Sequence, residues 1–157
     1  MIQLKDVIHY YIGQKLEKSA DDLTHPRLEA IVGDQMYVSE YEYTTPHSDK
    51  TFTRPKMTLP IGFKKPILRR LEDMTEEEMK ELVFIGHSVR NTLYEVKMEY
   101  NTVCFKTNGF TGGGSVSLRA LRPEETHYLL QQGFDLWGLI DSNQAIDSKT
   151  LKTVKHE

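Results

Sequence analysis

The chain has 157 residues, of which 38% are hydrophobic and 27% charged, with a formal net charge of −3. That length sustains one core burying roughly two-thirds of the unfolded surface, the composition excludes disorder, and a charge so near neutral excludes steering of the whole molecule toward nucleic acid or membrane. Cys104 is the one cysteine, which excludes an intrachain disulfide and a multi-cysteine zinc site.

In chain order, Leu4, Val7, Ile8, Tyr11 and Ile12 recur at helical spacing, and Gly13 supplies a left-handed stop, so a short amphipathic helix is expected over Leu4 to Ile12. Residues 14–26 read as loop or irregular strand, because the residue before Pro26 is pushed toward extended geometry. Leu28 to Val32 alternates, Gly33-Asp34 suits a two-residue hairpin turn, and Met36 to Tyr43 resumes the alternation. That second strand places Tyr37, Ser39, Tyr41 and Tyr43 on one face and Met36, Val38, Glu40 and Glu42 on the other. The tyrosine face fits either a partner-binding surface or the inside of the sheet.

Thr44 to Pro66 holds four prolines, each lacking a backbone donor, and reads as a long connection without central-strand pairing. Thr75 and Glu78 form a capping box that opens a helix at Glu76, with three glutamates in its first turn and an end near Gly86. Tyr94 to Tyr100, Val103 to Thr107 and Ser115 to Leu121 alternate as a three-stranded meander, turning at Asn101-Thr102 and over residues 108–114. Pro123 opens a further helix that Gly133 closes, a compact cap follows from Phe134 to Ile146, and residues 149–157 read as a loose tail.

Few residues are arranged for chemistry. The glycines from Gly109 to Gly114 lead into a strand-like Ser115 to Leu118 and lack a following helix and lysine, so they read as a hairpin loop and not as a phosphate loop. None of the six histidines has a partner at metal-ligand spacing, no nucleophile motif occurs, and Cys104, between Val103 and Phe105, reads as a buried inert thiol. No cofactor is implied and no catalytic residue can be named. The sharpest feature is the stretch Lys50 to Leu71, with seven basic residues and no acid, containing Phe52 and Phe63 for base stacking. Within it, Lys64, Lys65, Arg69 and Arg70 are the candidate nucleic-acid contacts. The acids of residues 72–81 offer an internal alternative use for the same charges.

Three segments carry a resemblance: Ile8-His9-Tyr10-Tyr11-Ile12-Gly13; Pro66-Ile67-Leu68-Arg69-Arg70-Leu71 running into Asp73 to Glu78; and Tyr128 to Ile140 with Ala145-Ile146-Asp147. Together they resemble short proteins without assigned activity encoded in phages, prophages and mobile elements of gut anaerobes. The match covers roughly a third of the chain, and Arg70 stands where those proteins tend to have proline. The resemblance implies a phage-related, cytoplasmic setting and carries over no catalytic residue.

The expectation is therefore a single α+β domain over residues 1–148, an antiparallel hairpin plus meander packed with three or four short helices. No apolar run approaches the ~20 residues of a membrane span, and Met1 to Asp6 lacks the order of a secretory signal. No membrane role is expected. The expected function is that of a non-enzymatic accessory protein acting through a protein partner. A nucleic-acid-binding module and a hydrolase of unrecognised type are the alternatives.

Overall fold

The computed structural model describes residues 2–18, 22–45, 48–89, 92–108 and 112–152. In chain order the elements are α1 (Leu4–Val7), β1 (Leu28–Val32), β2 (Gln35–Val38), β3 (Tyr41–Thr45), β4 (Ser48–Arg54), β5 (Met57–Pro60), β6 (Ile67–Leu68), α2 (Glu76–His87), β7 (Leu93–Glu99), β8 (Thr102–Thr107), β9 (Gly114–Ser117), α3 (Pro123–Gln131) and β10 (Ile146–Asp147). The class is α+β with mainly antiparallel sheets. The chain divides into two compact units, one of residues 1–69 with 133–157 and one of residues 70–132.

In the first unit, the expected helix over Leu4 to Ile12 is α-helical for one turn and then tightens to a 3₁₀ turn over Ile8–Tyr11. A 3₁₀ turn stacks positions i and i+3, which sends both Ile8 and Tyr11 inward. The Tyr11 hydroxyl donates to the Phe134 carbonyl at 3.3 Å, and burial, with Asp135 nearby, holds the phenol well above its ordinary range.

β1 and β2 pair around the Gly33-Asp34 turn as expected, and β5 adds on the far side of β2, giving the order β1-β2-β5. Leu28, Met36, Val38 and Leu59 form its buried side. The expected strand Met36 to Tyr43 is broken at Ser39-Glu40. The Arg27 N–H donates to Ser39 Oγ at 2.9 Å, and beyond this point β3 leaves β2 to pair with β4. The break also shifts the buried parity: Met36 and Val38 point in before it, Tyr37 is exposed, and Tyr41 points in after it.

Thr44 to Pro66 is likewise not a structureless connection. It contains β4 and β5, because the described prolines fall at ends: Pro55 between the two strands, Pro60 as the last residue of β5 on a sheet edge, and Pro66 just before β6. Prolines at such places cost no ladder hydrogen bond. Pro46 lies outside the described residues.

β6 pairs in parallel with β10, and Arg69 bridges Phe134 beside them. The intervening turn is built on Asp135, whose carboxylate accepts from the amides of Trp137 (3.2 Å), Leu139 (3.0 Å) and Ile140 (2.7 Å). Leu139 and Phe134 are both fully buried. The C-terminal stretch continues as a 3₁₀ turn over Thr150–Lys152, and the rest of the expected tail lies outside the described residues.

In the second unit the capping box forms as expected: Glu78 N–H donates to Thr75 Oγ1 at 3.3 Å and Thr75 N–H to Glu78 Oε2 at 2.8 Å. α2 packs on the β7-β8-β9 meander and against α3, burying Leu82, Val83, Val103, Val116, Leu129 and Leu130. The first meander turn falls at Tyr100-Asn101, one residue earlier than expected. Tyr100 adopts a left-handed φ of 53° and is 101% exposed. Where α2 meets α3, Gly86 leaves room for buried Glu125, whose carboxylate accepts from the Arg122 amide at 2.7 Å while the Arg122 guanidinium donates to the Gly86 carbonyl.

Two substitutions test this packing. A Cβ on Gly86 would lie 2.3 Å from Glu125 Oε1, so Gly86→Ala is expected to destabilise the protein by about 1–3 kcal/mol despite alanine's higher helix propensity. Tyr100→Gly relieves a left-handed conformation without losing a buried contact and is expected to stabilise by about 1 kcal/mol. Urea denaturation measures both.

Candidate functional site

The basic stretch from Lys50 to Arg70 does not form one surface. Lys64 is buried at 5% exposure, its ammonium 2.8 Å from the Asp22 carboxylate, which is itself 5% exposed. The same ammonium donates to the Glu17 carbonyl at 3.2 Å and lies 5.4 Å from the centre of the Tyr41 ring. Two buried charges persist there because each answers the other and further groups answer Lys64. Lys64 is therefore withdrawn from any phosphate, contrary to the sequence reading of it as a surface contact.

The neighbouring charges are also engaged within the fold. The Arg69 guanidinium stacks 4.4 Å over the Phe134 ring, Lys56 pairs with Glu29 at 3.0 Å, and Arg54 lies 4.7 Å over Tyr43. Arg70 begins the second unit, so the four proposed contacts do not all belong to one unit. Lys65 differs. It is half-buried, and its ammonium donates to Asn143 Oδ1 at 2.9 Å. It lines a cleft of about 310 Å³ with Lys5, Ile61, Gly62, Asn143 and Gln144.

The second exposed feature of this unit is the β3–β4 hairpin, which proline counting hid. Tyr43 faces Phe52 across the hairpin with ring centres 5.7 Å apart, and Phe52 is 39% exposed. The polarity of the edges follows from hydrogen bonds. The Glu42 carbonyl accepts from the Leu23 and Thr24 amides at 2.7 and 3.3 Å, and its N–H donates to Thr24 Oγ1 at 2.9 Å. β3 therefore turns the backbone groups of Tyr41 and Tyr43 toward Arg54 and Phe52 of β4. By alternation, the N–H and C=O groups of Thr51 and Thr53 point away from β3. Among the described residues β4 pairs with β3 alone.

The remaining candidates do not converge. Gly114 begins β9 directly, and a Cβ on Gly113 would lie 2.3 Å from the Phe105 carbonyl oxygen, so these glycines permit close strand approach; residues 109–111 lie outside the described residues. His25 Nδ1 sits 3.0 Å from the Leu16 carbonyl, His127 pairs with Gln131, and His87 packs on Phe105, whereas His47 and His156 lie outside the described residues. Among the described residues no three histidine, cysteine or carboxylate side chains gather as a metal site.

Cys104 is not buried as expected. Val103 and Phe105 take the inward positions of β8, leaving the thiol half-exposed beside Glu99. Partial desolvation and the Glu99 carboxylate raise its pKa, which disfavours the nucleophilic thiolate.

No family model matches the chain, and no curated protein and no solved structure is significantly similar to it. Among the described residues, no helix is long and apolar enough to cross a membrane.

The buried pair is expected to behave as a unit. Lys64→Met or Asp22→Asn alone removes one partner and is expected to cost about 3–5 kcal/mol, with the double variant recovering much of that loss. Urea denaturation of the two single variants and the double variant measures the coupling.

Proposed function

We propose that the protein is a non-enzymatic accessory protein that acts through a protein partner, engaged as an added strand along β4. The observation that carries this reading is a seven-residue strand that, among the described residues, pairs on one side alone and directs the Thr51 and Thr53 backbone groups away from that side. An extended segment laid there would gain ladder hydrogen bonds to those groups. Side chains of the added strand on the Phe52 face would meet an exposed aromatic ring. That face suits a segment with an apolar residue opposite Phe52. A phage-related, cytoplasmic accessory role agrees with the resemblance carried by the three sequence segments.

The test uses proline on the open edge. Thr51→Pro with Thr53→Pro removes two outward donors while leaving the Phe52 and Arg54 bonds to β3 in place. It is expected to weaken partner binding by roughly 2 kcal/mol, about thirtyfold. Circular dichroism should be unchanged. The measurement is affinity capture with the wild type, the proline variant and Lys56→Met as control, followed by titration of the partner's captured segment. Equal binding by the proline variant would sink the edge assignment. Salt-sensitive binding of labelled single-stranded DNA that requires Phe52 and Arg54 would give the face to nucleic acid instead.

A further inference from the structure

Lys64 and Lys65 are adjacent in sequence, yet the fold treats their charges in opposite ways. Lys64 is sealed against a carboxylate, whereas the polar partner of Lys65 is a neutral amide oxygen. The cleft that Lys65 lines is also bordered by Lys5 and has no carboxylate among its lining residues. A cation held by an amide keeps most of its field for whatever enters beside it.

The cleft is also rigidly built. The Lys65 carbonyl accepts from the Glu17 amide at 2.7 Å, and the adjoining Pro66 carbonyl accepts from Ile146 at 2.8 Å, which fixes the backbone at Lys65 between two segments. Asn143 sits in the left-handed region at φ 57° with its amide bonded to the Ile140 carbonyl at 3.0 Å. The Gln144 carboxamide is fixed as well, accepting from Leu4 N–H at 2.6 Å and donating to the Ile2 carbonyl at 3.2 Å and Ser142 Oγ at 3.0 Å. Gly62, at φ 88°, leaves open space on its Cβ side.

We infer that this cleft binds a small phosphate monoester, with the Lys65 and Lys5 ammonium groups answering the phosphate and the Asn143 amide nitrogen donating to a neighbouring oxygen. About 310 Å³ is at the lower end of the roughly 300–1,000 Å³ of small-molecule sites, enough for a sugar phosphate. A nucleic-acid strand would need a track of several phosphate contacts, and the neighbouring cations that could extend one are buried at Lys64 and stacked at Arg69. The inference is independent of the β4 edge, which shares no residue with the cleft.

The experiment is an amide NMR titration of the full chain with ribose 5-phosphate at constant ionic strength, with ribose and inorganic phosphate as comparators. Expected are saturable shifts at Gly62, Lys65, Asn143 and Gln144, absent with ribose and weaker with inorganic phosphate. Lys65→Met should weaken binding about tenfold, and Lys56→Met, whose charge is paired with Glu29, should leave it unchanged. No shift at these amides, equal shifts with ribose, or unaltered binding by Lys65→Met would overturn the proposal. So would inorganic phosphate matching the ester, which reduces the site to a bare anion. Tighter binding of a single-stranded oligonucleotide at the same amides would assign the cleft to nucleic acid and overturn it too.

Discussion

Much of the first unit is organised around the buried ion pair of Lys64 and Asp22. Its ammonium holds the carboxylate at 2.8 Å, the Glu17 carbonyl at 3.2 Å and the Tyr41 ring, so segments far apart in the chain meet at one charged centre. Asp22 also bridges Tyr43 of β3, and the Glu17 amide donates to the Lys65 carbonyl. Removing two charges from water is expensive, and only specific geometry offsets it.

Legibility in the sequence followed the range of the interaction. The Thr75–Glu78 box is three residues long, and Gly13 and Gly133 adopt positive φ where the helices were expected to stop, because backbone chirality acts locally. The break at Ser39 was invisible because it depends on Arg27, twelve residues earlier. Lys64 looked like one charge in a solvated run because its partner lies 42 residues away. The prolines misled for another reason: what matters is their place relative to a strand end or sheet edge, and composition does not carry that.

The candidate sites divide along the same line. Lys65 was marked in advance by belonging to a basic run, although the cleft around it draws on residues near both ends of the described chain. Nothing local distinguishes Lys65 from Lys64. The difference lies in which carboxylate or amide the fold brings to each, a property of tertiary placement. The hairpin edge had a fainter signal: the alternation of Lys50, Phe52 and Arg54 with threonines is strand-like, and the prolines on either side obscured it.

The order of the two units along the chain bears on how the chain is made. The chain leaves the first unit at Arg69 and returns at Gly133, and these positions touch: the Arg69 amide donates to the Gly133 carbonyl at 2.9 Å and the Asp135 amide to the Arg69 carbonyl at 2.8 Å. Residues 70–132 are thus one uninterrupted stretch, able to complete their contacts as soon as they emerge from the ribosome. The first unit cannot. Its β6 waits for β10, and Tyr11 for Phe134, so its closure comes only once residues 134–147 have been made. The element inserted in the middle of the sequence is in this sense the older part of every newly made molecule.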